Sequence, residues 1–388
     1  MTNRQRFFAV MAGEPTDRPP FFPDITNWYA ARRTPPGQPR HHGSGAFIPD
    51  DDPIHQVTGD MPAQFAGMTF LDLYKHFGWG LPLHVYNWFD TQYDGVEKTV
   101  ADDGRQRITR IRCPMGELEK VDTLADDGSW GPTVHFVKDL TDLEIMHYAV
   151  ERSRFVPRYE RVSAVLDAVG EQGVIDITLM RSPFGKLVHE YMGFEQVIYA
   201  LQDSPQTLLD FMDFQEQYDL ALARLAAEAP AQIVILSDHA DENLIAPPYY
   251  RRFCIPHYQK LCSILHQAGK IVSTHLDGNF KGYFPLLGET GFDLLDGCTP
   301  APMMNYEPEE LAQALPANMR AYCGVPATLF TQNVDDRVVL DFGRRILDAF
   351  KGRVILNIGD ILPTNGDIFQ MIRLGEMAAD YGPAAPAQ

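Results

Sequence analysis

A chain of 388 residues, 45% hydrophobic and 22% charged, has an ordinary globular composition and is long enough for one large α/β domain or two smaller ones. Its formal net charge of -19 and pI near 5.0 repel a phosphate backbone, and no lysine or arginine cluster offsets this, so nucleic acid is not expected as a partner. Five cysteines, odd in number and widely spaced, argue against a disulfide framework.

The chain opens on Met-Thr-Asn-Arg-Gln-Arg-Phe-Phe, without the apolar core and cleavage site of a signal peptide, and no apolar run approaches membrane-spanning length. A cytoplasmic protein is expected. A short helix over 4–12 and an extended run at Phe21-Phe22-Pro23 come first. Residues 30–53, rich in Pro and Gly and carrying His41-His42 and Asp50-Asp51-Asp52, read as an excursion over the mouth of the fold. That excursion is a mobile cover over an occupied pocket, a static surface loop, or part of the contact in a homodimer. A helix near 69–77 and a strand near 83–86 follow. Extended runs over 91–100 and 106–112 flank Asp102-Asp103-Gly104, a hairpin signal, and make a second insertion over 91–112.

From residue 155 the pattern is regular. Helices are expected over 155–169, 185–201, 205–227, 247–268 and 283–290, with another carrying Phe342, Ile346 and Phe350 on one face. Strands are expected over 174–180, 232–237, 270–275, 292–295, 319–323 and 353–358. Cys254 falls in register with Tyr258, Leu261 and Leu265, a helical stripe, and reads as core. Strand and helix alternating without a linker imply parallel pairing through right-handed crossovers. About eight such units point to a single (β/α)8 TIM barrel covering residues 1–388. A doubly wound open sheet is the alternative, but no glycine-rich nucleotide-binding turn supports it.

In such a fold the chemistry stands at the carboxyl ends of the strands. The expected ends are Ser237-Asp238-His239, His275-Leu-Asp277-Gly278, Asp296-Gly297-Cys298, Cys323-Gly324 and Gly359-Asp360. His275 and Asp277, two residues apart, share one side of their strand. Gathering carboxylates, imidazoles and thiols at one rim is costly without a metal, a cationic substrate or protonated carboxyls. A zinc set would take His275 and Cys298, with His239, Asp277 or Asp360 completing the shell and one position open. Helix N-caps account equally for Asp238 and Asp360, and a core thiol for Cys323.

With these residues in place, the chain resembles the uroporphyrinogen decarboxylase superfamily, which includes corrinoid-dependent methyltransferases. The resemblance runs from Arg4-Gln-Arg-Phe7 and Asp17-Arg-Pro-Pro20 through Arg181-Ser-Pro-Phe-Gly-Lys-Leu187, Asp238 with Pro247-Pro-Tyr-Tyr-Arg-Arg-Phe253 and Pro256, Gln267-Ala-Gly-Lys270, His275-Leu-Asp-Gly-Asn279 and Gly291-Phe-Asp293 to Gly359-Asp-Ile-Leu-Pro363. It implies one barrel with its site at the carboxyl rim. The decarboxylase branch is expected to hold porphyrin carboxylates with Met-Arg-Gln-Ala-Gly-Arg; here Trp28-Tyr-Ala-Ala-Arg-Arg-Thr34 stands instead, and only Arg32 and Arg33 approximate it. The zinc methyltransferase branch carries His-x-Cys and a later Cys, matched here by His275, Asp277 and Asp360. Cys298 falls where cobalamin-independent methionine synthase is expected to place a zinc-binding carboxylate.

Two functions follow from the resemblance. One is metal-assisted methyl transfer between a small methylated substrate and a thiol or a corrinoid carried by a partner protein, with zinc on His239, His275 and Cys298. The other is metal-free decarboxylation, with Asp238, Asp277 and Asp360 stabilising a cationic intermediate and delivering a proton. A non-catalytic small-molecule binder is a third reading.

Overall fold

The computed structural model describes residues 1–33, 61–125, 130–331 and 333–383. Beyond residue 33 the expected excursion lies outside the described residues. The strands, in chain order, are β1 (Leu81–Val85), β2 (Phe89–Tyr93), β3 (Glu97–Asp102), β4 (Gln106–Cys113), β5 (Gly116–Leu124), β6 (Trp130–Val134), β7 (Ser153–Pro157), β8 (Gly173–Leu179), β9 (Ile233–Leu236), β10 (Ile271–His275), β11 (Leu294–Cys298), β12 (Arg320–Pro326) and β13 (Val354–Gly359). Seven of them form one curled parallel sheet in the order β1-β8-β9-β10-β11-β12-β13.

The expected first strand is shorter than its apolar run suggests. Phe21 makes an isolated parallel bridge to Leu356 of β13, fixed by Phe22 N–H to the Leu356 carbonyl and Leu356 N–H to the Pro20 carbonyl, both 2.9 Å. On its other side Gly80 N–H donates to the Phe21 carbonyl at 2.9 Å, just before β1. Prolines at 19, 20 and 23 remove the donors a longer ladder needs, so the segment spans the gap between the two edge strands as a bridge.

Side chains alternate across each strand, and the inward set grades from apolar to polar. At the amino end Val174, Ile233, Leu294, Tyr322 and Ile355 pack with Phe22 and with Phe7 and Val10 of the helix Asn3–Ala12, forming a plug at that end of the sheet. Two residues further along the same strands stand Asp176, Ile235, Asp296 and Asn357. The outward set packs against the helices in a second, larger core. Those helices include Tyr159–Val169, Pro205–Glu228, Asp336–Phe350 and Ile368–Asp380. Two of the expected helices are broken by a π-turn, at Leu187–Tyr191 and at Tyr250–Cys254.

The insertion is larger than the hairpin in the sequence suggested. Asp102-Asp103-Gly104 does turn β3 into β4, with Gly104 at φ 83° and the Asp103 carboxylate accepting from Arg105 and Gln106 N–H. But β5 and β6 extend it into a four-stranded antiparallel sheet, and β2 pairs with β7. Residues 155–157, expected to open a helix, are instead the end of β7: Pro157 biases Val156 to extended backbone, so the helix starts at Tyr159.

Candidate active site at the carboxyl rim

A cavity of about 600 Å³ opens at the carboxyl ends of the parallel strands. Pro82, His84 and Tyr86 reach it from β1 and its end, Ile235, Ser237 and His239 from β9 and its end, and His275 and Asp277 from β10 and its end. Asp296, Tyr322, Asn357 and Asp360 complete the floor and far wall; Asp24 and Trp130 enter from outside the parallel sheet. Trp130 opens β6, so the inserted sheet contributes a wall of the cavity.

Two imidazole–carboxylate pairs are set by strand register. His84 and Asp176 are direct partners across β1 and β8, and His84 Nδ1 lies 3.0 and 2.8 Å from the two carboxylate oxygens. His275 and Asp296 are direct partners across β10 and β11, with Nδ1 to Oδ2 at 2.7 Å. Burial works against each imidazolium, yet the carboxylates outweigh it: Asp176, with Asp296 and Asp24, pushes His84 up to about 10, and Asp296 pushes His275 up to about 9. Burial also lifts Asp176, so the His84–Asp176 pair behaves as a unit sharing one proton, which the bidentate geometry places on the imidazole. Asp296 differs: burial would raise it, but His275 and His84 together hold it below the usual carboxylate range.

The raised His84 gives a pH signature. A base whose pKa rises on folding stabilises the fold fully below its unfolded value of 6.5 and loses that contribution as pH climbs through about 10. Stability is expected to fall over this window by on the order of 2–3 kcal/mol, and His84→Gln should flatten the fall. Urea midpoints at pH 6, 8 and 10 check it; parallel curves for the two proteins would refute the pairing.

His239, His275 and Asp277 each offer a ligand atom, all within 4.8 Å of one another. His239 Nδ1 stands 3.5 Å from Asp277 Oδ2, and the two imidazole rings meet edge-on at 5.0 Å. Burial lowers the His239 pKa, and the contact with His239 lowers that of Asp277, so a neutral imidazole faces a carboxylate. With Nδ1 of His275 held by Asp296, Nε2 remains as its ligand atom, the carboxylate–imidazole arrangement that supports metal ligands. Two imidazole nitrogens and one carboxylate suit zinc or a similar divalent ion with a position open.

Cys298 is not in this group. Counting by twos from Leu294 and Asp296 would turn it inward, but Gly297 adopts φ 74° and the register of β11 against β12 shifts between Leu295 and Cys298. The bulge pairs Cys298 with Cys323 and turns its thiol to the Leu295 carbonyl at 3.6 Å, buried with Tyr306. Burial pushes this thiol well above the ordinary cysteine range. The carboxylate beside His275 is Asp296 instead.

Asp238 also lies away from the cavity. Ile235, Ser237 and His239 face in, so Asp238 faces the helices, fully buried, and accepts from Ser182 N–H at 3.0 Å, Ser182 Oγ at 2.6 Å and the Tyr258 hydroxyl. It fastens the turn after β8 to the helix Ile255–Gln267. Asp238→Ala would strand three buried donors and is expected to cost about 3 kcal/mol of stability, read as a lower thermal midpoint. If the variant kept wild-type stability, this fastening role would be lost. Asp360 does reach the cavity, through backbone at φ 67°, and burial pushes its carboxyl up to about 6. His84, Asp176, Asp24, Tyr86, Trp130, Tyr322 and Asn357 went unread in the sequence. For the first two a signal existed: a single polar residue inside the apolar runs Leu81-Pro-Leu-His84-Val and Val174-Ile-Asp176-Ile.

Among the described residues no helix is long and apolar enough to cross a membrane. No curated protein matches the sequence. Among solved structures, a methyltransferase from Methanosarcina mazei shares 15% identity over 98% of this chain and 99% of its own, with a TM-score of 0.63. A B12-independent methionine synthase from Shewanella sp. W3-18-1 shares 11% identity over 94% of this chain and 95% of its own, at a TM-score of 0.42. At such identities the likeness is one of fold. The family model described as uroporphyrinogen decarboxylase (URO-D) matches residues 122–335, more than half of the chain. The protein thus belongs to the uroporphyrinogen decarboxylase family.

Proposed function

We propose that the chain is a metal-assisted methyltransferase, passing a methyl group between a small methylated substrate and an acceptor that is either a thiol or a corrinoid on a separate protein. The observation that carries this reading is the convergence of His239, His275 and Asp277, with Asp296 bonded behind His275. Zinc held there would supply an open Lewis-acid position for the substrate heteroatom. Asp296 holds the His275 ring by Nδ1 and would leave its Nε2 to ligate an ion bound there. Ile235, Ile361 and Pro82 give the methyl group an apolar wall, and the inserted sheet, through Trp130, narrows water access. We count Pro20–Phe22 as the eighth stave of a single-domain barrel, and place the protein in the cytoplasm.

A second reading, decarboxylation without metal, is favoured by Asp360, whose carboxyl at about 6 could hold and deliver a proton near neutral pH. Against uroporphyrinogen itself, no arginine or lysine lines the cavity among the described residues. Arg32 instead bonds the Thr364 carbonyl at 2.6 Å and stacks on Trp28. Protein purified without added metal should carry about one equivalent of a divalent ion and convert cob(I)alamin to methylcobalamin with a methylated donor, followed by absorbance. Metal-free protein that releases carbon dioxide from a carboxylic acid would overturn the methyltransferase reading.

A further inference from the structure

The charge lining the cavity does not balance. Asp24, Asp277, Asp296 and Asp360 line it, and Asp176 stands directly behind His84. Facing these five carboxylates are three imidazoles, His84, His239 and His275, and no lysine or arginine among the described lining. With every imidazole protonated and every carboxyl ionised two negative charges remain, and burial raises the Asp24 and Asp360 carboxyls against carrying them. With a divalent ion on neutral His239 and His275, and His84 protonated, two remain again. Two of the imidazoles are also committed locally, His84 to Asp176 at 2.8 Å and His275 to Asp296 at 2.7 Å. Asp24 is engaged by Thr26 N–H at 2.8 Å, and Asp360 makes no ion pair among the described residues.

The rest of the wall suits a cation. Tyr86, Trp130 and Tyr322 line the same space. Trp130 already accepts a cation, with the Arg107 guanidinium 4.4 Å from its ring centre while Arg107 pairs with Asp102. Aromatic faces attract an alkylammonium without the strong hydrogen bonds that an anion or a sugar would require. Ile235, Ile361 and Pro82 add apolar surface for its alkyl groups, and about 600 Å³ suits a small molecule. Carboxylates in such a cavity are held at a desolvation cost that a cationic guest relieves.

We propose that the substrate of this cavity carries a positively charged ammonium group, seated between Asp360 and the Trp130 and Tyr86 rings. The inference rests on the reading of this cavity as the substrate site, and adds the charge class of what enters it. The test is calorimetric titration of the full chain with three probes of one shape: choline, its neutral carbon isostere with a tertiary butyl group, and the corresponding tertiary-butyl carboxylate. Metal content is measured on the same samples before and after chelation. Choline is expected to bind about tenfold more tightly than the isostere, with no detectable binding of the carboxylate. Asp360→Asn and Trp130→Leu, each shown to be folded by circular dichroism, should each weaken choline by about fivefold or more. Equal binding of choline and isostere, tighter binding of the carboxylate, or no binding of choline at millimolar concentration would overturn the proposal. A chain that carries no metal yet prefers choline would sink the metal reading alone. A chain that carries metal without the preference would sink this inference alone.

Discussion

Alanine at position 275 is expected to empty the metal group and lower turnover by at least a hundredfold, while the protein stays folded. His275 is the one ligand candidate braced from behind, by Asp296 at 2.7 Å, and its loss leaves only His239 and Asp277. Asp296→Ala should act in the same direction more weakly, reducing affinity by about ten- to a hundredfold, because the ring keeps its nitrogen but loses its orientation. Cys298→Ser is the control. Its thiol sits in the outer core beyond the Gly297 bulge, so the variant should keep full metal content. Plasma emission analysis of the three purified variants decides the matter: metal retained by His275→Ala, or lost from Cys298→Ser, would refute the ligand set.

The second large effect is on stability. Lys186 and Asp219 form an ion pair whose side chains are 1% and 5% exposed, joined by Gln215 Nε2 to Asp219 Oδ1 at 2.9 Å. The pair ties the short helix Pro183–Lys186 to the long helix Pro205–Glu228 behind β8. Lys186→Met removes the cation and leaves a buried carboxylate whose second oxygen has no partner, so unfolding free energy should fall by about 3–5 kcal/mol. Changing both residues, Lys186→Met with Asp219→Leu, should recover most of the loss, since a packed apolar pair no longer strands a charge. Urea unfolding of single and double variants provides the comparison; a double variant no more stable than the single would show that the helices need the charges themselves.

Much of this architecture was legible, and the reason is period. The runs before His275, Ser237 and Asp360 alternate or are wholly apolar, and they are strands within a residue or two of the expected bounds. The same counting by twos kept His275 and Asp277 on one face. It would also have turned Asp238 outward, had Ser237 and His239 been assigned as the inward pair. Cys298 was beyond such counting because a glycine at positive φ cancels the alternation, and sequence does not say on which side of a bulge the next residue emerges. The His84–Asp176 pair stayed hidden for a different reason. Its members lie 92 residues apart, and only the pairing of β1 with β8 brings them together. Trp130 reached the cavity through a sheet whose hairpin alone could be read.

The turn at Gly297 decides more than where one side chain points. By sending sulfur outward and leaving oxygen and nitrogen at the rim, it gives the cavity a lining without any thiol among the described residues, while Cys254, Cys262, Cys298 and Cys323 all lie buried and unpaired. A centre built this way has nothing for peroxide to oxidise to a sulfenic acid and nothing for maleimides to alkylate. A divalent ion held by His239, His275 and Asp277 should therefore stay bound in the presence of thiol-blocking reagents that strip a cysteine-held metal.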